Sequence, residues 1–350
     1  MKTFCILSVF VLVGTCATEK YSKKLQNLEA SIMIIDSNLV DTYSQTITAQ
    51  ELSKHLYQFS SKEFEGRKVG EPGQKKAAKF IKEYYISQSI QSPFGNNNYY
   101  QTIPKSFFMK GVNSSENVLA FIEGSEKPEE VVIISAHLDH LGIDEFGNVN
   151  QGADDDGSGT VAIMEIAQAF KLAKQNGHGP KRSILFLHLT AEEIGKQGSD
   201  YYTRYPAFPL ENTVANLNID MIGRVDDLHQ QNNNYVYLIG VSRLSKELFF
   251  LSEKVNESCC NINLDYRYDS EKDINDYYSR SDHYNFARHD IPVIFYFNGE
   301  HDDYHRYSDT PDKIHYGLLE KRAKLIFATA WQIANQPNRL ATDKDHELLN

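Results

Sequence analysis

The chain has 350 residues, and its 36 Lys and Arg against 47 Asp and Glu give a formal net charge of −11. This length, with 41% hydrophobic residues, is sufficient for one large globular domain with a sizeable core. The negative charge argues against a nucleic-acid backbone as the main partner, because such binding requires a net basic face. The sequence contains no repeat or low-complexity tract, which disfavours solenoid and disordered architectures.

Residues 1–17 have the features of a secretory signal. Lys2 precedes an apolar run from Phe4 to Val13, which is too short to span a bilayer, and small residues follow the run. Two processing routes remain open: cleavage by an ordinary signal peptidase near Ala17, or a lipoprotein route in which Cys16 becomes a lipidated N-terminus. By either route we expect an exported protein that is secreted, periplasmic or lipid-anchored, with no integral membrane span after the signal is removed.

The remaining chain predicts a leader, one folded domain and a tail. Residues 18–47 are polar without a strong period and are expected to form an N-terminal leader or tether, and residues 336–350 form a C-terminal tail. Residues 48–335 interleave short apolar strands with amphipathic helices. Strands without polar alternation indicate a sheet buried on both faces, so we expect a single three-layer α/β/α domain with a mixed, mostly parallel central sheet. The expected strands lie at residues 117–122, 131–136, 183–187, 218–221, 235–239 and 293–297.

The adjacent pair Cys259 and Cys260 remains once the cysteines of the N-terminal signal region are set aside. Adjacent cysteines rarely bond to each other, and the sequence has no Cys-x-x-Cys pattern, so it predicts neither a disulfide framework nor a thiolate zinc site. We expect two partly buried free thiols.

Histidines and carboxylates follow the predicted strands at their carboxyl ends. His137 and Asp139 follow the strand at 131–136, and Asp220 lies at the end of a later strand. In α/β folds, ligands are handled at this edge of the sheet. Imidazoles and carboxylates without cysteine are typical of a catalytic zinc site with open coordination positions. The further residues of this kind are Asp154, Asp155, Asp156, Glu192, Glu193, His301 and His305.

Each of these motifs also has a simpler explanation when it is taken alone. The run Asp154-Asp155-Asp156 suits a helix N-terminus, where the helix dipole favours acidic residues, and Glu192-Glu193 suits a solvated turn. Adjacent carboxylates in a closed site repel one another, however, and a divalent cation relieves that repulsion. Taken together, the motifs therefore favour a metal site.

These motifs, in this order, resemble the co-catalytic zinc exopeptidases of clan MH, typified by bacterial leucyl aminopeptidase, with glutamate carboxypeptidases and glutaminyl cyclases as relatives. The resemblance covers roughly residues 48–335. It implies two zinc ions per chain, as in other two-metal hydrolases. The matching stretches are residues 135–139, 152–159, 190–195, 218–221, 281–283 and 305–310, with 63–67 as part of a helical lead-in.

The resemblance implies a ligand for each coordination position. Asp155 would bridge the two metal ions. His137 and Asp220 would complete one site, and Glu193 with His305 would complete the other. All five positions carry residue types that a two-metal site needs.

The resemblance also implies three further roles. Glu192 would be the general base that takes a proton from the attacking water and passes it to the leaving amine. Asp139 would hold the imidazole of His137 and fix its tautomer. Tyr278 would hydrogen-bond the tetrahedral intermediate as an oxyanion donor, although Tyr277 is directly adjacent.

Three more histidines, His140, His283 and His301, are weaker candidates for the site. His283 is expected to open a helix and to make a structural hydrogen bond. The resemblance also implies a cis peptide bond between Asp155 and Asp156.

The expected function is that of a zinc aminopeptidase, which releases residues from peptides with a free N-terminus by means of a water activated by two zinc ions. A carboxypeptidase or dipeptidase on the same scaffold is the alternative, and it would need a cationic group for the substrate carboxylate; Arg224 and Arg280 are the nearest. Glutaminyl cyclisation is the third alternative. The glutaminyl cyclase branch keeps a single zinc, whereas the five ligand positions here suit two metal ions. A non-catalytic ectodomain is the last alternative. In such a protein, we would expect other residue types at some of the ligand positions.

Overall fold

The structure is a computed structural model that describes residues 20–345. The expected signal at 1–17, with the lipid-anchor candidate Cys16, lies outside the described residues, as do residues 346–350 of the tail. Within the described part, one eight-stranded sheet is packed between helices, which confirms the α/β class.

Continuous runs of β-branched and aromatic residues form the centre of the sheet, because such side chains pack well on both of its buried faces. The strands are β1 (Tyr100–Ile103), β2 (Ser115–Ile122), β3 (Lys127–His137), β4 (Arg182–Leu189), β5 (Thr213–Ile219), β6 (Tyr235–Ile239), β7 (Asn263–Asp265) and β8 (Val293–Phe297).

The sheet order is β1-β2-β4-β3-β5-β8-β6-β7. The four central strands β4, β3, β5 and β8 are parallel, whereas β2 and β6 pair antiparallel to their inner neighbours. The sheet is therefore mixed with a parallel centre, as expected. Because the central strands share one direction, the loops that follow them meet at one edge.

Helices cover both faces of the sheet. Residues 20–31 form the first helix, α1. The others are α2 (Ser37–Ser44), α3 (Ala49–Phe59), α4 (Pro72–Ser87), α5 (Gly159–Gln175), α6 (Gln197–Arg204), α7 (Lys246–Cys259), α8 (His283–Ala287) and α9 (Tyr316–Asn335). The main core packs α2, α3, α4, α5, α7 and α9 on one face, and a second cluster, which includes side chains of α6 and α8, covers the other.

The described part of the expected leader packs on the domain. Val40 and Tyr43 of α2 are buried in the main core. The amide of Ile35 donates to Oε1 of Gln332 at 3.1 Å, and Nε2 of Gln332 donates to the carbonyl of Met33 at 3.0 Å. These contacts attach the segment before α2 to helix α9.

Two sequence expectations need correction. The expectation of free thiols is wrong, because Cys259 and Cys260 are joined in a disulfide. Helix α7 ends at Cys259, and the backbone of Cys260 is no longer helical. Adjacent side chains within a helix point in different directions, and this constraint ends at Cys260, so the two sulfur atoms can meet. Strand β5 begins at Thr213 rather than at 218. Its first part was not predicted because it contains the polar residue Asn216, whose side chain is buried and donates to Oγ of Ser135 at 2.8 Å.

Candidate metal centre

The loops after the parallel central strands bring the predicted site residues to one edge of the sheet. His137 ends β3, Glu192 and Glu193 follow β4, and Asp220 directly follows β5. Asp155 lies in the turn that opens α5. His305 lies in the loop after β8. All five residues that the resemblance implies as metal ligands are therefore close together in space.

The first group consists of His137, Asp155 and Asp220. Nε2 of His137 lies 3.2 Å from Oδ1 of Asp155 and 3.6 Å from Oδ1 of Asp220. The three side chains are buried and close enough to bind one cation together. The remaining oxygen of Asp220, Oδ2, accepts a hydrogen bond from Oγ of Ser281 at 2.7 Å, which leaves Oδ1 directed at the group.

The second group uses the other oxygen of Asp155. Nε2 of His305 lies 3.2 Å from Oδ2 of Asp155 and 3.2 Å from Oε2 of Glu193. A further histidine, His140, also belongs here, with Nδ1 2.7 Å from Oε1 of Glu193. Asp155 thus presents one carboxylate oxygen to each group.

Asp139 lies beside His137 but makes a different contact from the expected one. Nδ1 of His137 is 3.1 Å from the main-chain oxygen of Asp139 and 3.8 Å from its carboxylate. The Asp139 carboxylate instead accepts a hydrogen bond from the amide of Glu192 at 3.1 Å. Burial raises the pKa of Asp139 to about 7, with Glu193 adding to the shift and His137 opposing it.

The acidic run around Asp155 is held by hydrogen bonds to the backbone. Asp156 accepts bonds from the amides of His137 and Met221, both at 3.1 Å. Oδ2 of Asp309 accepts bonds from the amides of Asp154 and Asp155 at 2.9 and 3.2 Å. The Asp155–Asp156 peptide bond is cis, as expected. Of the three consecutive aspartates, only Asp155 is a member of the two ligand groups.

The pKa values of Asp155 and Glu192 are shifted in opposite directions. Burial would raise the pKa of Asp155, but the adjacent imidazoles of His137 and His305 hold it well below its usual range. Burial raises the pKa of Glu192 well above its usual range, and the nearby carboxylates of Asp282 and Asp220 raise it further. Glu192 belongs to neither ligand group.

The residues present fit zinc. They offer imidazole nitrogens and carboxylate oxygens without a thiolate, the usual donor set of catalytic zinc sites. Oδ2 of Asp155 is buried and accepts no well-aligned hydrogen bond from the described residues, although Nε2 of His305 lies 3.2 Å away. A buried carboxylate oxygen without such a partner is costly unless a cation binds it.

A small, partly open cleft lies beside both groups. Asp155, Glu192, Asp220 and His305 line one part of it. The remaining lining residues are Met221, Tyr277, Arg280, Ser281, Phe295, Phe297, Glu300 and Tyr304.

The structure does not bring Tyr278 into this cleft. Its ring lies under the guanidinium of Arg243, 4.5 Å from the ring centroid, whereas Tyr277 lines the cleft. His283 opens α8 as expected and stacks on Phe295 with ring centroids 4.9 Å apart. Adjacent tyrosines give no sequence signal of which one faces inward, because the loop conformation decides it.

Comparison with known proteins identifies related sequences. The family described as Peptidase family M28 matches residues 117–330. A probable zinc metalloprotease of Pyrenophora teres f. teres (strain 0-1) is 27% identical over 265 residues, which cover 63% of this chain and 52% of that protein. Carboxypeptidase Q of Rattus norvegicus is 44% identical over 94 residues, 27% of this chain and 18% of that protein. The chain therefore spans about half the length of the first relative and less than a fifth of the second.

Solved structures share the fold. The LapA aminopeptidase of Legionella pneumophila superposes with a TM-score of 0.68 at 21% identity, over 87% of this chain and 77% of that chain. A glutaminyl cyclase of Bacteroides thetaiotaomicron superposes with a TM-score of 0.61 at 16% identity, over 81% and 98% of the two chains. At these identities the likeness concerns the fold alone.

Proposed function

Because this chain belongs to peptidase family M28, we propose that it is a zinc-dependent aminopeptidase, which releases residues from the free N-terminus of peptides. The observation that carries the proposal is the position of Asp155, whose two oxygens face two separate histidine–carboxylate groups. His137, Asp155 and Asp220 would hold one zinc ion, and Asp155, Glu193 and His305 the other. When bound, zinc lowers the pKa of a water molecule and polarises a carbonyl group.

Glu192 is the proposed general base. It lines the cleft without joining either ligand group, and burial gives its carboxylate a high pKa. A carboxylate of this kind accepts a proton from the attacking water and returns it to the leaving amine. The hydrogen bond from its amide to Asp139 fixes the backbone from which it projects.

We assign the oxyanion role to Tyr277 rather than to Tyr278, since only Tyr277 lines the cleft. Burial raises the pKa of Tyr277 above its usual value, and the charge of Glu300 adds to the shift. The phenol therefore keeps its proton and can donate a hydrogen bond to the oxygen on which negative charge develops.

The charges around the cleft favour an amino terminus as the group recognised. Asp155, Asp220 and Glu300 line the cleft, and their carboxylates attract an ammonium group. Arg280 is the single Lys or Arg in the described lining, and it is already paired with Glu300 at 3.0 Å. A carboxypeptidase or dipeptidase would require Arg280 to exchange Glu300 for the substrate carboxylate. The proposal therefore places the free amine in the cleft.

We further propose that the protein is exported by means of residues 1–17, through one of the two processing routes. In the described part of the chain, no helix combines the length and apolar character that crossing a bilayer requires.

The test is hydrolysis of a short-peptide panel by the purified, zinc-loaded protein. Each peptide is offered with a free or acetylated amino end and with a free or amidated carboxyl end. We expect cleavage that requires the free amine and tolerates the amide. Cleavage that tolerates acetylation but requires the free carboxylate would replace the proposal with a carboxypeptidase, and no cleavage with zinc bound would refute both.

A further inference from the structure

His140 is a buried histidine beside the second ligand group that is not among the five predicted ligands. Its side chain is 0% exposed, and its Nδ1 lies 2.7 Å from Oε1 of Glu193. The other carboxylate oxygen, Oε2, lies 3.2 Å from Nε2 of His305. The two oxygens of Glu193 therefore face two different imidazoles.

We propose that His140 is a positioning residue, which donates a hydrogen bond from Nδ1 to Oε1 of Glu193 and so keeps Oε2 directed at the metal shared with His305 and Asp155. This inference rests on the proposed two-metal function. A group that hydrogen-bonds a metal-binding carboxylate from outside fixes its orientation and strengthens metal binding.

The distances separate this role from direct ligation. Nδ1 of His140 lies 3.7 Å from Oδ2 of Asp155, whereas Nε2 of His305 lies 3.2 Å from the same atom. His305 is thus equally near both carboxylates that would share the metal, whereas His140 is near Glu193 and farther from Asp155, in a group that could also hold a cation. Nε2 of His140 is buried with no hydrogen-bond partner among the described residues, so Nδ1 makes the polar contact of the ring.

The surrounding backbone fixes the ring in this orientation. The amide of His140 donates to the carbonyl of Arg67 at 3.2 Å. The ring lies against Gly152, where a Cβ atom would come within 2.6 Å of ring carbons Cγ and Cδ2. The chain at this point leaves no room for a side chain, which brings the imidazole close to the turn that carries Asp155.

Arg67 joins the two segments that meet at this ring. Its buried guanidinium donates to the carbonyls of Leu138 at 2.9 Å, Gln151 at 2.6 Å and Gly152 at 2.8 Å. The loop that carries His140 is therefore tied to the turn before Asp155. Because the loop that carries His140 is held in this way, its imidazole is already positioned beside Glu193 before any metal binds.

The test compares two substitutions that differ in where they place an amide. His140→Asn puts an NH2 group near the position of Nδ1, and His140→Gln puts one near the position of Nε2, so the second is a control of similar polarity. Zinc affinity of the full chain is measured by competition with a chromophoric chelator. We expect H140Q to bind one of its two zinc ions roughly 10- to 100-fold more weakly, and H140N to bind both nearly as the wild type does.

Unchanged zinc affinity in H140Q would overturn the inference. So would an H140N protein that melts normally without metal yet binds zinc as weakly as H140Q, since that result indicates a direct ligand. A measurement on the wild type is independent of folding defects: 15N NMR of the zinc-loaded protein should show His140 protonated at Nδ1, and protonation at Nε2 would contradict us. If the wild-type protein binds two zinc ions but cleaves no peptide, the proposed peptidase function is refuted. The inference about His140 is unaffected by that result.

Discussion

The two halves of the candidate metal centre share Asp155 but differ in how they are enclosed. The side chains of His137 and Asp220 are 1% and 13% exposed, whereas that of His305 is 40% exposed. A buried chain of hydrogen bonds supports the first half, in which Asn218 donates to Ser281 at 2.8 Å and Ser281 donates to Asp220 at 2.7 Å.

The second half depends on a histidine in a loop. His305 has a left-handed backbone with φ of 57° and stacks on Tyr304 with ring centroids 3.9 Å apart. A group that is already ordered loses less entropy on binding a cation. We therefore expect the first half to bind zinc more tightly than the second.

Removal of the shared ligand should produce the largest effect. Asp155→Ala takes one donor from each half and leaves the imidazoles of His137 and His305 without their common carboxylate. We expect zinc content to fall from two ions toward zero and turnover to drop at least about 1,000-fold, since metal-activated water is lost. Elemental analysis and peptide hydrolysis measure both quantities.

Glu145→Ala is the control for loss of one negative charge, because Glu145 is exposed. It should keep both zinc ions and normal turnover. An Asp155→Ala protein that retained two zinc ions would contradict the bridging role.

Separate removal of the two histidines should give unequal results. His137→Ala disables the enclosed half and His305→Ala the exposed half, so each variant should retain about one zinc ion. During dialysis against a chelator, the remaining ion should leave slowly from His305→Ala and quickly from His137→Ala. Equal release rates, or the reverse order, would contradict the expectation that the enclosed half binds zinc more tightly.

A buried carboxylate on helix α5 offers a contrast with the metal centre. Burial, with Glu51 nearby, raises the pKa of Glu165 to about 8, whereas burial lowers the pKa of its neighbour His55. Below this value the folded protein keeps a proton that an unfolded glutamate releases above about pH 4.3. The free energy of unfolding therefore falls as pH rises between these values.

Glu165→Gln removes that titration while keeping a polar side chain of the same size. We expect it to raise the free energy of unfolding by roughly 4 to 5 kcal/mol near pH 8 and to change it little near pH 4, as measured by denaturant unfolding. Glu83→Gln, at a side chain that is 62% exposed, is the control and should do little at either pH. Equal effects of Glu165→Gln at both pH values would show that its charge is not responsible.

The sequence predicted the centre of this molecule better than its margins. The strands at 131–136, 183–187 and 293–297 were evident because continuous apolar runs mark strands buried on both faces. The edge strands β1 and β7, four and three residues long, carry too short a pattern to detect. The first part of β5 was missed for a different reason: its buried asparagines interrupt the apolar run that marks a central strand.

The candidate ligands could be predicted because several of them follow strands and the resemblance assigned each position, whereas the groups around them could not. His140 lies only three residues after His137, and nothing in the sequence indicates that its ring reaches Glu193 from another strand's loop. Similarly, the contact between Asp139 and the amide of Glu192 joins two loops. Such contacts depend on loop conformation, which residue type does not determine.

The separation of metal binding from proton transfer at Glu192 tests the proposed two-metal mechanism most directly. Zinc content and peptide hydrolysis should be measured together for Glu192→Gln, which keeps the size of the side chain and removes its basicity. We expect two bound zinc ions, as in the wild type, with turnover reduced by about 100-fold or more. Turnover near that of the wild type, or loss of a zinc ion, would contradict the assignment of Glu192 as a base that is not a ligand.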